Sequence, residues 1–462
     1  MVGWHVCREG SARLSIDDLK NVSKNPISLS RRRFVAASLV SLPGGLFSEL
    51  PAAESNSPSE KLNVGVIGVG GRGIDNLAGV DGEHIAALCD VDERFLDEAA
   101  SRYPKARRYR DFRKLLQADD LDAVMIATPD HTHALAAVTA MRRGLHVYCE
   151  KPLAHNLTET ALMSRLAKEK EVATQMGNQF HASAGYRRVV QILQSDVLGE
   201  VGEVHAWTTR PVWPQGIRRP PETPPVPDSL DWDLWLGPAP KRPFHSAYHP
   251  RDWRGWWDFG SGALGDFVPH LLDPIYEGLR LTAPMRIKAT TDDVNAETAP
   301  KSSLLEFQFE TKPTTEEKSG KLVIHWYDGG KQPPPEKAGV KRLPGSGALV
   351  IGEHGRLFIP THGKPPVVIP TDRDNPPELP EPLPPSEHSH WEEWTHACKT
   401  EEPTGSPFSY GAALTDVALL GNVAIRTGEP IVWNADTRRV TNVEKANAFL
   451  TRKYRRGWEP ET

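Results

Sequence analysis

The sequence predicts a two-domain α/β protein, and three observations carry that prediction. Short apolar runs alternate with helical periodicities from Lys61 to about Asn178, the pattern of βαβ units and a parallel sheet. A glycine-rich turn joins the first run to the first helical segment. Beyond Asn178 the alternation stops, and apolar runs separated by proline-rich loops predict a large, mainly antiparallel open sheet. At 462 residues the chain is also too long for one small core.

Residues 1–60 read as leader and linker. Ser30-Arg31-Arg32-Arg33-Phe34-Val35 precedes an apolar stretch, Phe34 to Phe47, broken by Pro43-Gly44-Gly45, with small residues at Ala52-Ala53. This resembles a twin-arginine export signal and implies an exported or periplasmic protein. A basic tail on a cytoplasmic protein is the alternative. The stretch before the arginines is long for a leader, which leaves room for a start later than Met1. No apolar run reaches the roughly 18–20 residues of a membrane span, so no stable membrane insertion is expected. The net charge is −5, and a mildly acidic body argues against nucleic acid as a partner. The four cysteines, Cys7, Cys89, Cys149 and Cys398, show no CxxC spacing, so neither a disulfide framework nor a zinc site is expected.

From Lys61, strands are predicted at Leu62–Ile67, His84–Cys89, Ala123–Ala127, His146–Cys149 and Val172–Met176. Helices separate them at Ile74–Val80, Glu93–Arg102, His133–Arg143 and Thr158–Glu169. Gly68, Gly70 and Gly73 form G-x-G-x-x-G directly after the first strand, with Gly71 and Arg72 inside the loop. The first glycine permits a tight turn, the second lets the backbone approach a pyrophosphate, and the third lets helix pack on strand. Asp90 follows about 20 residues on, placed to accept from an adenosine ribose. This is a Rossmann dinucleotide-binding domain, residues 61–182. Asp90 would repel a 2′-phosphate, so NAD is expected over NADP, unless Arg72 or Arg94 softens the preference.

Two further motifs sit at strand ends: Ala127-Thr128-Pro129-Asp130-His131-Thr132-His133 and Cys149-Glu150-Lys151-Pro152. His131 and His133 have H-x-H spacing, but no Cys, Asp or Glu cluster accompanies them and no metal is expected. Thr128 and Asp130 suit a helix N-cap. Lys151 sits at the carboxyl end of a Rossmann strand, where partial burial would make proton exchange possible. Gln179, ending the last strand of this domain, is expected near the nicotinamide, with His181 facing the same cleft.

In this order and at these places, the three motifs resemble the glucose–fructose oxidoreductase/inositol dehydrogenase (GFO/IDH/MocA) family over roughly residues 62–280. The resemblance implies that Thr128, Pro129, His131, Glu150 and Lys151 lie beside the cofactor. It also implies a Lys–Asp–His set made by Lys151 with Asp266 and His270. Those last two are four apart in Gly265-Asp266-Phe267-Val268-Pro269-His270, hence on one face of a helix expected over Ala263–Gly278, with Pro269 a place for a bend.

Residues 183–462 form the second, substrate-binding and oligomerisation domain, and its late helices have room to pack back on the first. Its tryptophan-rich stretch offers Tyr248, His249, Arg251 and Trp257 to a sugar, although any one tryptophan there is as well explained as core. The chemistry expected is hydride transfer between NAD(P) and a secondary alcohol of a sugar, polyol or glycoside. His270 is the general base, Asp266 orients, and Lys151 steadies the alkoxide. Free dinucleotide is scarce outside the cytoplasm, so an exported enzyme is expected to carry it tightly bound. An NAD-dependent glycosidase using transient oxidation and elimination is the second reading, and a non-catalytic NAD- and sugar-binding protein the third. A homo-oligomer is expected from the open sheet.

Overall fold

A computed structural model describes residues 61–292, 294–311 and 320–460; the stretch that resembles a twin-arginine signal, and Cys7, lie outside the described residues. Six parallel strands make the first sheet: β1 (Asn63–Ile67), β2 (His84–Cys89), β3 (Arg107–Tyr109), β4 (Ala123–Ile126), β5 (His146–Glu150) and β6 (Thr174–Gly177). Their order is β3-β2-β1-β4-β5-β6, which reverses direction beside β1. In such a sheet the ligand crevice opens outside the carboxyl ends of the strands at that reversal. The crossover helices are α1 (Arg72–Gly79), α2 (Glu93–Arg102), α3 (Phe112–Leu115), α4 (Asp130–Arg142) and α5 (Leu157–Lys170). β4 is wholly buried, as its unbroken Ala-Val-Met-Ile run requires, and α4 is buried along nearly all its length.

The second half contains α6 (Ala184–Gln194), β7 (Val201–Trp207), α7 (Trp232–Leu236), α8 (Gly262–Leu271) and α9 (Asp273–Gly278). There follow β8 (Arg286–Thr291), β9 (Ser303–Thr311), β10 (Gly320–Tyr327), β11 (Gly347–Gly352), β12 (Gly355–Ile359) and β13 (Val367–Pro370). The chain ends through α10 (His390–Thr400), α11 (Phe408–Thr427), β14 (Ile431–Asn434) and β15 (Arg439–Val440). The nine strands form one mixed sheet, ordered β13-β12-β11-β7-β10-β9-β8-β14-β15. Every ladder in it is antiparallel except β7–β10.

The helix expected over Ala263–Gly278 is two helices. Pro269 is carried inside α8; the break comes at Leu272, where Pro274 has no N–H to give to the His270 carbonyl. α11 has the length and composition of a membrane span, longer than any apolar run counted in the sequence, but most of it is buried within the protein. It packs against α5, α8 and β8, and α10 lies on α1, where Trp391 donates to Asn76 and Lys399 pairs with Glu83 at 2.6 Å. One continuous apolar core therefore runs from Ile67 and Ile126 of the first sheet to Phe307 and Ile324 of the second. That continuity fixes α8, which carries Asp266 and His270, against the end of β5.

Candidate active site

A cleft of about 600 Å³ opens at the carboxyl ends of the parallel strands. At one end is the glycine turn. A Cβ on Gly68 would stand 2.7 Å from the Ala127 carbonyl, and one on Gly73 would stand 2.0 Å from the Gly68 carbonyl. Both places therefore need glycine, and Gly73 works by close packing rather than by lining the cleft. α1 starts after Gly71, which lines the cleft and gives the helix no side-chain cap, the kind of helix start that suits an anion. Asp90 accepts from Val69 N (3.0 Å), Gly70 N (3.3 Å) and Asp92 N (2.9 Å). A carboxylate accepts about four hydrogen bonds, so capacity for a hydroxyl remains. Burial outweighs these amides and pushes its pKa up to about 6.

The two flanking arginines are already engaged. Arg72 binds Glu150 (3.2 Å) and Asp75 (2.9 Å), and Arg94 grips Asp92 at 2.6 Å. Glu150 lines the cleft, but its Oε1 also takes the Asn76 amide at 3.0 Å, so it serves as the anchor of Arg72. Among the buried polar atoms of cleft-lining residues that have no partner among the described residues are one Arg72 Nη and Gln179 Oε1. An uncapped helix start, a compulsory glycine turn and unsatisfied polar atoms are what a dinucleotide would complete, and these residues fit one. Thr128 and Pro129 line the same wall.

The expectation for His131 is corrected. It is fully buried and does not line the cleft; its ring nitrogens face the carbonyls of Phe259 (3.2 Å) and Trp235 (3.0 Å). Burial, then Arg452, lowers its pKa to about 3. His133 ties the carbonyls of Thr128 (2.8 Å) and Pro152 (2.9 Å), joining the two motif loops. Neither Thr128 nor Asp130 caps α4: Thr128 accepts from Thr132, and Asp130 accepts from Ser261 at 2.5 Å. His181 is also turned from the cleft, into a buried cluster with Asp273 at 3.2 Å, Tyr186 and Tyr410.

Lys151, Asp266 and His270 all line the other end of the cleft. The Lys151 ammonium donates to Asp266 Oδ1 at 2.8 Å and to the Asp266 carbonyl at 2.6 Å. Only 13% and 15% of the two side chains are exposed, so water screens the pair little. Burial alone would raise Asp266; the charges of Lys151 and Arg254 outweigh it and hold the carboxyl below its usual range. His270 lies one turn further along α8. Burial, then Lys151, drives its pKa well below 6.5 against the pull of Asp266, which keeps the ring neutral and able to accept a proton. Its Nδ1 has no partner among the described residues. Ser261, bonded to Asp130 and to Asn422, fixes the start of α8.

The aromatic segment divides. Tyr248 and Trp257 are core residues: Tyr248 is packed among Trp232, Trp256 and Phe259, and Trp257 donates to the Asn295 carbonyl. His249 lines the cleft, but it hydrogen-bonds Asp92 (3.1 Å) beside Phe95, away from Lys151. Arg251 lines the cleft as well. Trp253, from the tryptophan-rich stretch, lines the cleft, and so do four residues not expected there, Arg210, Trp213 and Arg254 at the Lys151 end and Trp458 at the Asp90 end. Trp458 stacks under Arg113 (4.1 Å) and beside Phe112, so the C-terminal segment walls the cleft. The tryptophan-arginine spacing Trp253-Arg254 was a visible signal; nothing local marked Arg210 or Trp458.

The model of an oxidoreductase family with an NAD-binding Rossmann fold matches residues 62–178, and that of the family's C-terminal α/β domain matches residues 187–311. The chain belongs to the GFO/IDH/MocA family. A glycosyl hydrolase family 109 protein of Solibacter usitatus is 37% identical over 142 residues, 27% of this chain and 32% of its own. An inositol 2-dehydrogenase of an Arthrobacter species is 32% identical over 165 residues, 34% and 49% of the two chains. The match thus spans about half or less of these GFO/IDH/MocA relatives. Among solved structures, the WlbA dehydrogenase from Bordetella pertussis, in complex with NADH and UDP-GlcNAcA, superposes with a TM-score of 0.59 at 16% identity, covering 82% of this chain and 99% of that one. At that identity the fold is what is shared.

Proposed function

We propose that this protein is an NAD-dependent dehydrogenase or oxidoreductase of a sugar or polyol, acting on a secondary alcohol. One observation carries the reading: an ion-paired lysine at the end of β5 and a neutral histidine of α8 line the same cleft as the glycine turn. The dinucleotide, when bound, supplies the hydride acceptor. His270 takes the hydroxyl proton as the C–H bond breaks. Lys151 donates to the oxygen as its charge develops, an effect worth about 3 kcal/mol for one well-placed donor. Asp266 holds the ammonium at that point and opposes its drift into solvent. NAD is favoured over NADP because the Asp90 carboxylate, expected at the ribose, would repel a 2′-phosphate, and Arg72 and Arg94 are each ion-paired with acids. The leader supports export with the dinucleotide already bound, and the broad second sheet supports a homo-oligomer.

The test is purification of the full chain, mass spectrometry of any retained nucleotide, and reduced-nicotinamide absorbance on addition of a sugar and polyol panel. Retained NAD that is reduced by a panel member is expected. Nucleotide-free protein with no response to any of them overturns the reading. The likeness to the family 109 glycosyl hydrolases favours a second reading, a glycosidase that oxidises its sugar transiently.

A further inference from the structure

Three cations surround one carboxylate at the chemical end of the cleft. Asp266 is bound by Lys151 at 2.8 Å, and the guanidinium groups of Arg254 and Arg210 stand 3.8 and 3.9 Å from its two oxygens. Lys151 alone balances Asp266, and the charges of Arg254 and Lys151 also reach Asp130, so the wall holds about one positive charge more than its acids. The other carboxyl lining this end, Asp130, is bound to the Ser261 hydroxyl. Both arginines are held in plane by aromatic rings, Arg254 over Trp253 at 4.4 Å and Arg210 over Phe267 at 5.3 Å. Their N–H edges are nearly unused. Arg254 gives one hydrogen bond, to the Arg251 carbonyl at 3.1 Å, and the Arg210 guanidinium gives none to the described residues. A neutral polyol needs no such wall. Two stacked, half-buried guanidinium forks are the arrangement that reads a planar anion.

We infer that the substrate is a sugar acid, a uronate or aldonate whose carboxylate is gripped by Arg210 and Arg254 while its secondary hydroxyl meets Lys151 and His270. The inference rests on the dehydrogenase reading for the hydroxyl but on the arginines alone for the carboxylate. Trp213, also lining this end, offers an aromatic face to the ring or chain between the two groups.

The test is calorimetric titration of protein loaded with NADH, which cannot oxidise the alcohol. D-Glucuronate, D-galacturonate and D-gluconate are compared with D-glucose, D-galactose and D-glucitol. At least one acid should bind about tenfold or more tightly than its neutral partner, and Arg210→Met or Arg254→Met should each cost the acid about 10- to 100-fold. The same variants should leave nucleotide retention unchanged and weaken neutral-sugar binding far less than acid binding. Arg210→Lys should fall between, because it keeps the charge and loses the fork. Absence of any acid preference, or loss of nucleotide from Arg210→Met, overturns the inference. So does tighter binding of D-galactose 6-sulfate than of D-galacturonate, which would assign the wall to a tetrahedral anion. If acids bind but none reduces bound NAD, the dehydrogenase reading fails and the carboxylate site stands.

Discussion

Replacing Lys151 with methionine separates chemistry from folding, because the structure says which will suffer. The ammonium lies 2.8 Å from Asp266, worth about 6 kcal/mol by Coulomb's law at an effective dielectric near 20. Arg254 and Arg210, at 3.8 and 3.9 Å, are worth about 4 kcal/mol each on the same scale. Their sum exceeds the loss, so Asp266 stays ionised and the usual cost of about 3–5 kcal/mol for orphaning a buried charge is largely avoided. The reaction has no such substitute. Losing one charge-assisted donor to the developing alkoxide should lower kcat by about 10²–10³. Steady-state reduction of the bound nucleotide across pH is the assay, with melting temperature and retained nucleotide as controls. Lys151 is also the largest charge depressing His270, so its removal raises that pKa, and the acid limb of the rate profile should move to higher pH. A variant within threefold of the parent, or one that loses its nucleotide, would refute the roles assigned to Lys151.

Three further outcomes are expected. Gly73→Ala puts a Cβ 2.0 Å from the Gly68 carbonyl, inside backbone rather than beside a flexible side chain, so it should cost about 1–3 kcal/mol and shed the nucleotide on purification; a variant retaining full nucleotide content would contradict the turn. Trp458→Ala removes the aromatic wall under Arg113 near Asp90 and should speed nucleotide release about tenfold, read by stopped-flow fluorescence, with kcat at saturating nucleotide unchanged. His390 is buried, which lowers its pKa from 6.5 to about 3. The unfolded chain therefore binds the extra proton first, and the stability His390 contributes is full above about pH 6.5 and lost as pH falls toward 3, at about 1.4 kcal/mol per unit. The melting-temperature gap between the parent and His390→Gln should accordingly narrow from pH 7 to pH 5, and a constant gap would show that the ring titrates freely.

What the sequence disclosed was what it encodes locally. The glycine turn, Lys151 after its strand, and Asp266 four residues before His270 are each short motifs whose function is set by one loop or one helix. β3 escaped notice because Arg107–Tyr109 is three residues long, charged and largely exposed, with no apolar alternation to read. His131 was misjudged because its surroundings come from far along the chain: Trp235 and Phe259 bury it, and no pattern near residue 131 records their approach. The same holds for Arg210 after β7 and for Trp458 near the C-terminus, both brought to the cleft by tertiary contacts alone. Tyr248 and Trp257 failed the other way. An aromatic-rich loop must build its own small core, which takes Tyr248, while Trp257 packs into the main core.

The choice between dehydrogenase and glycosidase turns on counting bases. Cleavage by transient oxidation needs one group to take the hydroxyl proton and another to take the hydrogen from the carbon beside the new ketone, before the aglycone leaves. At the Lys151 end of the cleft, Lys151 and Asp266 are committed to each other, Asp130 is bound to Ser261, and the arginines hold their protons throughout. Among the described groups at that end, His270 is the neutral nitrogen base whose Nδ1 has no hydrogen-bond partner, and after the first proton it has no lone pair until solvent removes it. With those carboxylates held by Lys151 and Ser261 and not freed to act as the second base, elimination slows by about 10²–10⁴. Nitrophenyl glycosides of whichever sugar is oxidised should therefore release nitrophenol at about 1% or less of the oxidation rate. Substrate recovered from heavy water should carry no deuterium at the neighbouring carbon. Deuterium there, with nitrophenol released at a matching rate and no net NADH, would mean that His270 relays two protons in one turnover, and the second reading would replace the first.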